Sequence, residues 1–193
     1  MSTGFEDNDL VDEFDTTGVT PESLDSGGNM VNAEGKGMFL VMDVVPYSEE
    51  GKLKNIRFDC QCIAFKPEDQ VDKMMFHRIY REAWKDKDDH TQGTQPISEG
   101  SRDMLLRFAR GLGLVDPADL GKKIAINWAL AKGRLFCCAI EKEEGKDKNG
   151  KKTANYRIPF GRVYPHDHEE VADYPKSAEH IALSGSAGTD DVV

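Results

Sequence analysis

Apolar and polar positions alternate along several stretches of the chain, and at one place the apolar ones recur at helical spacing. From Lys36 to Pro46, Met38, Leu40, Met42 and Val44 interleave with Phe39, Val41, Asp43 and Val45, so both faces are apolar almost throughout and the strand belongs in the middle of a sheet. Lys52 to Phe65 follows a turn at Tyr47–Gly51. Ile56, Phe58, Cys60 and Cys62 face one way and Arg57, Asp59 and Gln61 the other, which predicts one core face and one wet face. Lys73 to Arg81 predicts a third strand, with bases and apolar groups mixed on both faces. Met104, Leu105, Phe108, Ala109 and Leu112 then fall on one stripe, predicting an amphipathic helix capped by Ser101 and stopped by Gly111 or Gly113. Trp84 to Ile97 has no period and reads as a loop.

The later chain predicts a hairpin and a final strand. Ile124, Ile126, Trp128 and Leu130 alternate with smaller or polar residues, Lys132-Gly133 supplies a turn, and Leu135, Cys137 and Ala139 resume the period of two. A loop with four lysines and one aspartate, residues 145–152, leads to the extended run Asn155–Phe160. Three strands, a helix and two more strands suit a mainly β fold, the five-stranded Greek-key barrel of the OB-fold with one amphipathic helix between strands three and four. In that architecture the face of strands two and three, and the loops joining strands one to two and four to five, hold the ligand. Here those loops are residues 47–54 and 141–154.

Charge redraws the picture because it is unevenly spread. The net charge of -10 argues against a polyanionic partner, yet residues 1–30 hold eight acids and no base, and residues 165–193 hold seven acids and one lysine. Residues 31–164 carry 20 acids and 24 bases, so the predicted folded part is mildly basic. The expected organisation is a disordered acidic tail over 1–35, one folded domain over 36–164, and a flexible acidic tail over 165–193. The four cysteines, Cys60-x-Cys62 and Cys137-Cys138, lack zinc-ribbon spacing and read as buried thiols in a reducing compartment. Met1–Asp15 is acidic rather than signal-like, and the longest apolar run is cut by Asp43, so a cytoplasmic protein without a membrane partner is expected.

Single-strand binding asks for cations to follow phosphates and π-faces for bases. The candidates for stacking are Phe76, Tyr80, Trp84, Phe136 and Tyr156. Those for phosphate are Arg57, Arg78, Arg81, Arg134, Lys146, Lys148, Lys151, Lys152 and Arg157. No catalytic constellation emerges, since His166-x-His168 with its carboxylates lacks a separated third ligand. No enzyme activity, metal or cofactor is expected. The competing class is a protein-binding module, either a phage structural component or an acidic mimic of DNA.

The middle of the chain, about residues 36–162, resembles the single-stranded DNA-binding proteins that phages and prophages carry beside their recombination genes. The resemblance rests on Phe76-His-Arg-Ile-Tyr80, a helix ending Gly111-Leu-Gly-Leu114, Asp119-Leu-Gly-Lys122 before a strand, and Asn155-Tyr-Arg-Ile158 after a charged loop. It implies an OB-fold, binding of single-stranded DNA without sequence preference, work in phage replication or recombination, and the host cytoplasm as its place. The tip Asp190-Asp191-Val192-Val193 is similar to the acidic tails by which bacterial single-stranded DNA-binding proteins recruit partners, which implies replication or recombination proteins there. A homo-oligomer is compatible with all of this.

Overall fold

The computed structural model describes residues 30–49, 51–119, 121–146, 152–159 and 161–186. In chain order the strands before the first helix are β1 (Gly35–Tyr47), β2 (Asn55–Lys66), β3 (Met74–Tyr80), β4 (Glu82–Trp84) and β5 (Thr94–Pro96). Helix α1 (Glu99–Gly111), β6 (Leu135–Lys146), β7 (Lys152–Arg157), β8 (Val163–Tyr164) and helix α2 (Ala178–Ser186) follow. The main sheet is antiparallel and has six strands in the order β3-β2-β1-β6-β7, with β8 pairing β6. Strands β4 and β5 form a separate two-stranded ribbon. Among the described residues no pairing joins β3 to β7 or β8, so the sheet is not closed into a barrel. The fold is mainly β, as the alternation predicted.

Strand β1 sits between β2 and β6 and is buried on both faces over Gly37–Val41, whereas from Met42 to Tyr47 one face opens to solvent. Phe39 belongs to the larger core, with Phe58, Phe65, Phe108 and Phe136, while Met38 points into a second cluster with Leu135, Cys137 and Val171. Register shifts at Met38/Phe39 and Val41/Asp43 bend β1 against β2. Helix α1 covers the larger core with Phe108 and Leu112. It comes so close to β8 that any side chain at Gly111 would run into the Val163 carbonyl.

Four expectations are corrected. The strand predicted over 124–130 is absent: residues 123–127 are irregular and Trp128–Ala131 is a 3-10 turn. The physical reason is competition for a partner. Strand β6 takes β1 instead, with the Val41 amide donating to the Arg134 carbonyl at 3.0 Å and Gly133, at φ +81°, donating back to the Val41 carbonyl at 2.8 Å. Trp128 packs edge-on against Phe58 in the core, and the Asn127 side chain accepts from the Ala129 amide, which winds the chain rather than extending it. The loop expected over 84–97 contains the β4–β5 ribbon. Ser98, not Ser101, caps α1, accepting from the Ser101 amide at 3.2 Å.

The fourth correction concerns the ends. Residues 165–186, expected to be a flexible tail, pack on the second face of the sheet: Val171 is fully buried, Tyr164, Tyr174 and Ile181 support it, and Lys36 on β1 pairs with Asp173 at 2.9 Å. At the other end Val31 is buried and its amide donates to the Met74 carbonyl at 2.9 Å, while the Asn32 amide donates to the Gln70 side chain and Glu34 accepts from the Lys142 amide, so residues 30–34 are tied to the fold. The tail expectations for residues 1–29 and 187–193, Asp190, Asp191, Val192 and Val193 among them, lie outside the described residues.

Candidate nucleic-acid interface

Strand β3 decides its own orientation by what it can bury. Met75, His77 and Ile79 turn into the core, and the other set, Phe76, Arg78 and Tyr80, faces out. Antiparallel register lines these up with the outward residues of β2 and β1 in three rows: Tyr47, Asn55 and Tyr80; Val45, Arg57 and Arg78; Asp43, Asp59 and Phe76. Three aromatic rings therefore stand on one face, with Phe76 46%, Tyr80 44% and Tyr47 40% exposed. Three exposed rings gathered on one sheet face make it a candidate binding surface.

The charges in these rows are arranged against the stability of the sheet. Like charges directly opposite each other destabilise a strand pair, and Arg57 faces Arg78 while Asp43 faces Asp59. Asp59 relieves one arginine: Arg57 grips it through Nε at 2.7 Å and through its second guanidinium arm at 2.9 Å, and lies 5.1 Å from the Phe76 ring centroid. Lys132 relieves Asp43 at 3.2 Å, and its hydrogen bond holds that carboxyl below the usual range. Arg78 is exposed and has no ion-pair partner among the described residues. Arg78 is thus the member of the pair left open to an added anion.

At one end of the face a groove of about 490 Å³ runs between the β1–β2 loop and the β4–β5 ribbon, lined among others by Tyr47, Asn55, Arg78, Tyr80, Trp84 and His90. Trp84 and His90 stack with ring centroids 4.2 Å apart and planes within 8°. In the loop, Lys52 pairs with Glu49 at 2.8 Å, Tyr47 donates its hydroxyl to the same carboxylate, and these two bonds hold the Glu49 carboxyl below its ordinary value.

Of the residues singled out in the sequence, Arg57, Phe76, Arg78 and Tyr80 share this face and Trp84 borders it; Arg81, exposed, follows at the end of β3. Phe136 is a correction: it is fully buried, stacked on Phe39 at 5.5 Å, and offers no face to a base. Arg134 is exposed on a separate, largely apolar groove of about 660 Å³ that also takes in Leu130 and Ile181. Tyr156, Arg157 and Lys152 lie on β7, at the far end of the strand order from β3. Tyr156 is half-buried against the main core, and Arg157 pairs with Glu143 at 3.1 Å. Lys146 closes β6 opposite Lys152, while Lys148 and Lys151 lie outside the described residues. Tyr47 and Lys52 belong to the 47–54 loop expected to hold ligand, though neither was singled out, and Asn55 and His90 lay outside every expected site. An aromatic that ends a strand just before a loop was the available signal for Tyr47.

The remaining reactive groups are turned inward. All four cysteines are free and buried, and burial pushes the thiols up, to about 12 for Cys60 and Cys62 and about 11 for Cys137. Among the described residues no three His, Cys, Asp or Glu side chains converge as a metal site, and no helix is long and apolar enough to cross a membrane. No family model matches the chain, and no curated protein matches it.

Proposed function

We propose that the protein binds single-stranded nucleic acid, single-stranded DNA foremost, as a non-enzymatic protein of phage replication or recombination. The observation that carries this reading is the three-row cluster on β1, β2 and β3, where exposed Tyr47, Tyr80 and Phe76 alternate with Arg57 and Arg78. Rings spaced along a sheet stack on successive bases, and arginines between them meet the phosphates that join those bases; neither contact depends on base identity. The strand order supports the same reading. With α1 between β3 and β6, the order β3-β2-β1-β6-β7 is compatible with a five-stranded Greek-key barrel laid open, and in OB-folds the face of the second and third strands takes oligonucleotides. Recruitment of replication or recombination proteins by Asp190, Asp191, Val192 and Val193 belongs to the same proposal.

The test is retardation of labelled oligothymidine and of an RNA of equal length at low salt. Retardation of the DNA is expected. If neither is retarded, the reading falls and a protein-binding role for the face takes its place.

A further inference from the structure

Asn55 opens β2 between Tyr47 and Tyr80, at the floor of the groove. The residue is only 7% exposed. Its Nδ2 donates to the Leu53 carbonyl at 3.0 Å, which fixes the amide's orientation, since the flipped form would set two oxygens against each other. The other end, Oδ1, is buried with no hydrogen-bond partner among the described residues. A buried acceptor without a donor costs free energy that an apolar side chain of the same shape would not, so its presence asks for a reason.

The groove itself limits what the missing donor can be. A phosphate brings only acceptors and would be repelled by Oδ1. The walls are flat rings, Tyr47, Tyr80 and Trp84, with the Arg78 cation beside them, which suits a planar heterocycle joined to a phosphate. An acceptor at the floor of such a slot pairs with an N–H on the edge of the ring.

We propose that this groove is a nucleobase subsite in which Asn55 Oδ1 accepts from an exocyclic amino group, so that cytosine or adenine is favoured there over uracil or thymine. The inference rests on the single-strand reading above and refines it: the sheet face binds without regard to sequence, and one position at its end does not. Cytosine and adenine present an amino N–H at the corner of the edge where uracil and thymine carry a carbonyl oxygen. In the same pose that oxygen would face Oδ1 as a second acceptor, and the N3–H beside it meets Oδ1 only if the ring shifts along its edge. Oδ1 is shut from solvent in the free chain, so a base edge meets it only when the lining of the groove yields.

Oligodeoxycytidine and oligodeoxyuridine of equal length separate the two edges without the thymine methyl group. Their affinities are compared for the full chain and for Asn55→Leu, at pH 8 and fixed salt. One hydrogen bond to a buried partner predicts about a three- to tenfold preference for the cytidine oligomer in the native chain, and a ratio near one in Asn55→Leu. A native ratio of one or less, or a preference that Asn55→Leu retains, overturns the subsite. If neither oligomer binds the native chain, the single-strand reading fails and takes the subsite with it. Leucine keeps the branched outline of asparagine and needs no partner but is bulkier, so cooperative melting is checked first; if it is lost, Asn55→Ala, which also lacks an acceptor, is read by the same two ratios.

Discussion

Arg57 and Arg78 face each other across β2 and β3, and among the described residues a carboxylate pairs with only one of them. Asp59 then has two opposed effects, easing the repulsion in the free protein and competing with phosphate for Arg57. Asp59→Asn is therefore expected to tighten binding of oligothymidine at low salt, by about fivefold at most for a partly exposed pair, with a gain that shrinks as salt rises. A loss of affinity would place the strand elsewhere. His77, beside the Phe108 ring at 4.6 Å, carries a different prediction. Burial lowers its imidazole to about 4, so the folded protein holds it neutral where the unfolded chain is protonated. That stability is present above the unfolded value near 6.5 and is lost as pH falls toward 4, in total on the order of 3 kcal/mol. Urea midpoints between pH 7 and 4 should fall less steeply in His77→Phe. At this scale the sequence was half legible: β3 alternates plainly, yet Arg78 on one face and His77 on the other hid which face was core. Desolvation decides it, because a neutral imidazole can be buried far more cheaply than a guanidinium.

Among the elements, those whose partners are already apolar were the readable ones. Strand β1, greasy on both faces, came out central, and α1 buried the stripe its spacing predicts. The stretch 124–130 alternates as well as β6 does and still forms no strand, because β1 occupies the edge of β6 that it would need. Periodicity states what a segment can do; which of two segments wins a shared edge depends on residues far apart in sequence. The β4–β5 ribbon was illegible for a related reason, since three pairs formed by Glu82–Trp84 and Thr94–Pro96 are too short to show a period. The ribbon sets Trp84 beside the groove, whereas Trp128 packs against the core. Oligothymidine should accordingly quench the Trp84 fraction of the fluorescence and leave the signal of Trp84→Phe unchanged on binding. Quenching that persists in Trp84→Phe would assign the binding signal to Trp128. The lysines of the β6–β7 connection form a second element to test: changing Lys146, Lys148, Lys151 and Lys152 together to Ala should flatten the salt dependence by roughly 0.7 for each phosphate that the loop neutralises. An unchanged slope would assign that loop to solvent.

Across the whole molecule, acids are concentrated toward the two ends of the sequence and the middle is mildly basic, and a tethered acidic segment competes for a basic face at a high effective concentration. The sequence drew the C-terminal boundary too early because Val171, Tyr174 and Ile181 are isolated apolar residues among acids. Only the second face of β1 and β6 shows what they are for. Truncation at 164 would strip that face, and Val171→Ala alone should cost about 1–3 kcal/mol of stability by denaturant melting. The fair comparison is residues 30–186 against the full chain: removing eight N-terminal acids and the last two should tighten binding at low salt and change little at high salt. Equal affinities at low salt would leave the ends to solubility or partner recruitment.

On the reading proposed above, the outward face of β1, β2 and β3 holds a single strand by stacking. Affinity for oligothymidine in Phe76→Ala, Tyr80→Ala and the double variant, with cooperative melting confirmed in each, measures it directly. Stacking predicts a loss of about 1–3 kcal/mol for each ring, with the salt dependence unchanged because neither ring neutralises a phosphate. Native affinity in the double variant would contradict the account.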